Sequence, residues 1–303
     1  MVNNLQKIKI GAFVNRDLEI FKKVKRSLAF YYGINVINLL KNNGFNHHEK
    51  HLIKKAKKHS FSFLIVKLTT SEYNKIVYDI IEKYLPNIPI LNDLSAIQTC
   101  ESRKKTFELL KEKCPTIKIP EFYGNFTQAL RAIEEGKQVI VKLDSHNIPH
   151  LPKRLRIVGI ADTAKQLNEL VQSYNKNQLF FQEFLGYAEI IHKIYAIGNW
   201  MVSLQSPNRL LKRKLHLQSK SSRIRVKIDS DFKRQLINLE LQFKMPIFGV
   251  DYIQMKDGPY IIDINDFPSF KNVPESTRLI SEYVYSRINL EQQSIRKLVK
   301  AKV

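Results

Sequence analysis

Two aspartates and an asparagine near the C-terminal end of the chain are spaced as cation ligands would be. They lie in FGVDYIQMKDGPYIIDINDFPSF, residues 248–270. Apolar residues on either side of Lys256-Asp257-Gly258 predict a β-hairpin, with strands at 248–255 and 259–265. Asp251 stands on the first strand, and Asp263 and Asn265 on the second. Residues two apart on a strand share a face, so Asp263 and Asn265 point the same way. Two carboxylates and an amide oxygen suit a hard divalent cation such as Mg²⁺, which completes its shell with substrate phosphates. The alternative is a half-exposed hairpin with solvated acids. Ile261, Ile262 and Ile264 argue against it, because an acid set among apolar residues needs a partner.

Cationic side chains recur upstream. Lys142 ends the apolar run VIVK, where a solvent-seeking lysine is the alternative reading. Lys193 alternates with Ile191 and Tyr195, which turns it toward a cleft unless its strand lies at a sheet edge. The chain holds only 10 glycines in 303 residues and no phosphate-cradling glycine motif, so lysines and metal must do what a glycine loop does elsewhere. His47 and His48, in HHEKH, lack the spacing of a zinc site and read as surface helix.

Composition narrows the partners. Fifty Lys+Arg against 28 Asp+Glu give a net charge of +22, which calls for a polyanion: nucleic acid, an anionic membrane surface or a small, highly phosphorylated molecule. A lysine-rich solubilising surface accounts for part of the excess. No apolar run reaches membrane-spanning length, and the start of the chain lacks a signal-peptide pattern. Cys100 and Cys114 are the only cysteines, which rules out a disulfide framework and makes a reducing cytoplasm the expectation.

The elements that would position these groups fall into regions. Strands at 7–14, 34–40, 61–66 and 89–92 alternate with helices at 17–32 and 72–84, which predicts a parallel α/β sheet in residues 1–97. Residues 94–97 read as a link. Residues 98–185 carry helices at 101–113, 126–135 and 163–175, with strands at 118–124, 138–143, 155–160 and 179–184, an α+β pattern with antiparallel pairing. Residues 186–303 hold a hairpin turning at Gly198-Asn199, a basic loop at 209–227, a helix at 231–243, the acidic hairpin and a helix at 275–289.

The ordered pieces Lys142, FFQEFL (180–185), Lys193 and the acidic hairpin resemble an ATP-grasp fold, in which two α+β subdomains clamp a nucleotide. Within that superfamily, four segments resemble the inositol 1,3,4-trisphosphate 5/6-kinase family, also called inositol-tetrakisphosphate 1-kinases. They are FLIVKLT (63–69), LNDLSAIQTCESRKKTFELL (91–110), HKIYAIGNWMVSLQSP (192–207), and FGVDYI with IIDINDFPSFKNVP (248–253 and 261–274). The resemblance implies an α/β ATP-grasp enzyme using ATP and Mg²⁺. Arg103, Lys142 and the segment Gln182, Glu183, Phe184 would hold ATP. Lys193 would stand where nucleotide and substrate phosphates meet. Asp251, Asp263 and Asn265 would bind the metal, with Asn265 and Ser269 also near substrate, and Lys67 would contact a substrate phosphate. The family's histidine between the two central strands aligns with Lys153, which would take its catalytic and substrate-binding place, while His146 and His150 fall out of register. The family's arginine after Gln205 is Ser206 here, and its glycine after Phe-Pro is Ser269.

These readings converge on a kinase transferring the γ-phosphate of ATP to a hydroxyl of an inositol polyphosphate, a small polyanionic partner, with the protein acting as a monomer. One alternative is an ATP-grasp carboxylate–amine ligase resembling the ribosomal-protein glutamate ligases, although those usually carry Arg at the place of Lys193. The other is an inactive ATP-grasp scaffold that binds nucleic acid or an anionic membrane.

Overall fold

The computed structural model describes residues 8–40, 48–152, 155–208, 210–211 and 224–300. They form two compact units: residues 8–94 with 269–300, and residues 95–268. The sequence predicts separate divisions at 98–185 and 186–303; the structure joins residues 95–268 in one unit and returns the chain from Ser269 onward to the first.

The first unit is built on a four-stranded parallel sheet of order β2-β1-β3-β4, with β1 at Lys9–Val14, β2 at Asn35–Asn38, β3 at Phe63–Lys67 and β4 at Ile90–Leu91. β1 and β3 are buried almost throughout, as strands covered on both faces must be. Direction along the sheet reverses after β2. Right-handed crossovers therefore put helix α1 (Leu18–Tyr32) on one face, and α2 (Glu49–Lys58) and α3 (Asn74–Tyr84) on the other. α2 accordingly packs on α3, while α1 packs on the long α9 (Ser276–Lys300). α1 turns Ile20, Phe21, Val24 and Leu28 inward and stops at Gly33, whose φ of 63° closes the helix with an N–H bond to the Leu28 carbonyl. Asn38 ties β2 to β1, accepting from the Val14 N–H at 3.2 Å and donating to the Val14 carbonyl at 2.8 Å. Asn15 then accepts from the Thr69 N–H at 2.8 Å, joining the loops that follow β1 and β3.

The second unit begins with α4 (Leu94–Thr99) and α5 (Arg103–Lys113). The expected link at 94–97 is thus helical. One antiparallel sheet has the order β5-β8-β6-β7: β5 at Phe122–Tyr123, β8 at Leu179–Glu183, β6 at Val139–Leu143 and β7 at Ile157–Ala161. It packs on α6 (Phe126–Glu134) and α7 (Ala164–Val171) through Ala129, Ile133, Val139, Val141, Leu167 and Phe181. Of the expected strand at 118–124, only Phe122–Tyr123 forms a regular strand. The other sheet has the order β11-β10-β9-β12-β13: β9 at Ile190–Ile197, β10 at Trp200–Pro207, β11 at Ile224–Val226, β12 at Ile247–Met255 and β13 at Gly258–Asp266. β11 gives the tail of the basic loop a strand, built on pairing with Ser203 to Gln205 of β10. α8 (Ser230–Phe243) covers this sheet with Phe232, Leu236, Leu239 and Phe243, and Asp229 caps it by accepting from the Asp231 and Phe232 N–H groups.

Gly11, in the middle of β1, has no room for a side chain. A Cβ there would lie 2.9 Å from Leu64 Cδ2 and 3.1 Å from Phe61 Cγ. Gly11→Val should therefore cost about 1–3 kcal/mol of stability by overpacking. Urea denaturation monitored by circular dichroism checks this, and an unchanged midpoint would contradict the packing described.

Candidate active site

Three strands bring the expected ligands into one row. Asp251 on β12 stands opposite Lys193 on β9 and, on its other side, opposite Asp263 on β13. Directly paired residues of antiparallel strands project from the same face, roughly 5 Å apart. Asn265 extends the row along β13, opposite Gly249. At Gly249 a Cβ would meet Pro268 at 3.0 Å, so the glycine lets the segment after β13 lie against β12.

A β-bulge sets the phase of this row. Asp251 pairs with Asp263, but Tyr252 pairs with Ile261, which leaves Ile262 as the extra residue. The re-phasing lets both Ile261 and Ile264 enter the core while Asp263 and Asn265 stay on the polar face. It also turns the Ile262 carbonyl to Lys142, whose Nζ donates to it at 3.0 Å and to Gln182 Oε1 at 2.7 Å.

Each acid already has a cation. Lys193 is ion-paired with Asp251. Arg103, in the first turn of α5, grips Asp263 with two donors, Nε to Oδ1 at 3.2 Å and Nη2 to Oδ2 at 3.4 Å. Its remaining arm donates to the Leu143 carbonyl at 2.5 Å and the Ser145 carbonyl at 3.3 Å. The chain leaving β6 is fastened to the start of α5: the Arg103 N–H bonds to the Asp144 carbonyl, the Lys104 N–H to Asp144 Oδ1, and the His146 N–H to the Glu101 carbonyl. His146, buried, thereby reaches Asp263 Oδ1 with Nε2 at 3.4 Å. Burial alone would push the Asp263 carboxyl up; Arg103, His146 and Lys142 overcome it and hold that group well below the usual carboxylate range. For Lys142 burial wins, and its pKa falls to about 8, although Asp263 and Asp251 pull the other way.

Alignment of the sequence leaves His146 out of register, whereas backbone bonds to the start of α5 carry it to the acidic hairpin, a placement that sequence reasoning misses. Lys153, put forward for the histidine's role, lies outside the described residues, as do Arg209 and Lys212 in the basic loop. In the segment expected to line a nucleotide, the Glu183 N–H donates to the Glu121 carbonyl at 2.7 Å and the Phe184 N–H to the Gln138 carbonyl at 2.8 Å. Both amides are therefore engaged within the protein. The Phe184 ring meets Tyr187 edge to face.

Lys67 and Ser269 belong to the first unit. Lys67 is only 1% exposed and pairs with Asp17 at 3.2 Å. Asp17 and Ser269 both line a cavity of about 600 Å³, together with Glu19, Lys23, Lys271 and Thr277. Of the two expected substrate contacts, Ser269 thus lines this hollow, while Lys67 is joined to it only through its ion pair with Asp17.

No group of three or more His, Cys, Asp or Glu side chains is placed to hold a metal ion among the described residues. The third donor of the hairpin is the amide oxygen of Asn265, and the resulting all-oxygen set fits a hard cation. Two carboxylates side by side on a sheet face repel each other, and Lys193 and Arg103 already supply the positive charge that such a pair demands.

No family model matches the chain. Its structure superposes on an ATP-grasp RimK-domain protein of Sphaerobacter thermophilus with a TM-score of 0.64, covering 91% of this chain and 99% of that one at 10% identity. The D-alanine–D-alanine ligase of Bacillus anthracis, complexed with ATP, also gives 0.64, covering 95% and 99% at 12% identity. The fold is ATP-grasp. A third ATP-grasp structure, a ligase of Chryseobacterium gregarium in complex with ADP and a leader and core peptide, matches at 0.62, covering 92% and 97% at 14% identity. By sequence, the chain is similar to inositol-tetrakisphosphate 1-kinase 2 of Oryza sativa, indica and japonica, at 21% identity over 285 residues, spanning 80% of this chain and 76% of those proteins.

Arg103→Leu would leave Asp263 largely buried without its main cation and should cost roughly 3–5 kcal/mol. Adding Asp263→Asn should restore part of that loss in urea melts, and strict additivity of the two changes would contradict the pairing. Lys142 gives a pH signature. Its folded pKa of about 8 lies below the ordinary lysine value, so the unfolded chain binds that proton more tightly. Wild type should therefore gain stability relative to Lys142→Met as pH rises through and above about 8. A flat difference would place Lys142 in contact with solvent.

Proposed function

We propose that this chain is an ATP- and Mg²⁺-dependent kinase that phosphorylates a hydroxyl of an inositol polyphosphate. The observation that carries the reading is the row Lys193, Asp251, Asp263 and Asn265 on one sheet face, with Arg103, His146 and Lys142 gathered at Asp263. Phosphoryl transfer needs charge neutralised around the moving phosphate and its two flanking oxygens held nearly in line. Mg²⁺, held by Asp251, Asp263 and Asn265, would supply Lewis-acid neutralisation of the phosphate oxygens. Lys142 and Arg103 would grip the nucleotide phosphates, and Lys193 would stand between donor and acceptor phosphates. Lys67 and Ser269 would contact the substrate. In the transfer, the substrate oxygen forms its bond to the γ-phosphorus as the bond to the ADP oxygen breaks, and the hydroxyl proton is released.

The similarity to inositol-tetrakisphosphate 1-kinase 2 over 80% of the chain supports this acceptor class, as does the net charge of +22. A carboxylate–amine ligase is the second reading, favoured by the ligases among the structures of the same fold. The same cations would then stabilise formation of an acyl phosphate.

ADP release on adding inositol tris- or tetrakisphosphates, and none with amino acids, is the expected result; the reverse pattern would assign the ligase. Asp251→Asn should lower turnover about a hundredfold or more, with circular dichroism confirming that the variant folds. Lys67→Ala should raise the KM for the inositol phosphate several times more than the KM for ATP. Equal effects on both would remove Lys67 from the substrate site.

A further inference from the structure

We propose that the outer face of α1 docks the protein on an anionic lipid bilayer. This goes beyond the kinase reading and does not depend on it. The helix commits Ile20, Phe21, Val24 and Leu28 to the core, so its opposite face is free to present Lys22, Lys23, Lys25 and Arg26, all exposed. None of these four cations is ion-paired among the described residues. Phe30 follows Arg26 by four residues and Lys22 by eight, which places it on the same stripe at the end of the helix. Phe30 is 82% exposed and its neighbour Tyr31 72%, the two highest values for large apolar side chains among the described residues. Their rings pack edge to face with centroids 4.8 Å apart. The acids of this segment, Asp17 and Glu19, lie at the far end.

Charge complementarity and this aromatic tip identify the occupant. Basic side chains on a helix surface gain from lipid phosphates, and adjacent aromatic side chains gain from entering the headgroup–acyl boundary. Single-stranded nucleic acid also answers to cations, but it needs open ring faces along a groove on which bases stack. Here the two rings cap one another at a helix end. The helix itself stays folded on the sheet; only its outer face and tip engage the bilayer.

The test is co-sedimentation of the full chain with vesicles of phosphatidylcholine, alone or with about 30% phosphatidylserine. The chain should pellet with the anionic vesicles and not with the neutral ones. Phe30→Ser with Tyr31→Ser, and separately Lys22→Ala with Arg26→Ala, should each weaken partitioning about tenfold, with the thermal midpoint unchanged. Lys50→Ala with Lys54→Ala, exposed on α2, should leave binding intact. The proposal is overturned if the anionic vesicles bind no protein, or if either α1 variant binds like wild type. It is equally overturned if the α2 variant loses as much, or if the aromatic variant loses binding to single-stranded RNA while keeping vesicle binding.

Discussion

Two carboxylates placed opposite each other on neighbouring strands are the constraint around which the second unit is organised. Asp251 and Asp263 would repel on a hairpin whose other face is apolar, and their charge is met from three directions: Lys193 from β9, Arg103 from α5 and His146 from the chain leaving β6. Those three come from parts of the sequence far apart, so neutralising one pair of acids joins the two sheets of the unit. Under the proposed kinase reading, positive charge would already be gathered where phosphates arrive and would need little reorganisation.

The bulge at Ile262 links packing to this electrostatics. A regular hairpin would put Ile261 and Asp263 on one face and force a choice between core and site. One extra residue resolves it, burying Ile261 and Ile264 while keeping Asp263 and Asn265 outward. The same residue offers its carbonyl to Lys142, which also leans on Gln182 of β8. A local irregularity in one strand thus fixes a lysine from another sheet.

The hairpin is legible in the sequence because its signal is local: alternation, a Lys-Asp-Gly turn, and an acid and an amide two residues apart. The parallel first sheet was legible for the same reason. What escaped was decided by distant partners. The segment 94–97 reads as a link by composition, yet it is helical, with Ala96 and Ile97 packed into the interior. β11 exists by pairing with β10, which no property of Ile224 to Val226 alone announces. His146 is out of register when the loop after β6 is aligned on the strand that follows; its position is set by its own N–H bond to the Glu101 carbonyl and by the bond of the Arg103 N–H to neighbouring Asp144. The return of the last helix to the first unit left no mark in its own pattern, because an amphipathic stripe does not name the surface that will cover it.

That return has a consequence for how the chain is made. Residues 95–268 interrupt the first unit, so α1 waits for its neighbour α9 until the whole intervening unit has been synthesised. Contacts of such long sequence separation form slowly, and domains complete themselves in the order they leave the ribosome. The inserted unit can close while its host is still unfinished. During that interval the side of α1 that α9 will cover stays unpacked, and the arrival of α9, with its buried Ile280, Val284 and Ile288, completes that layer.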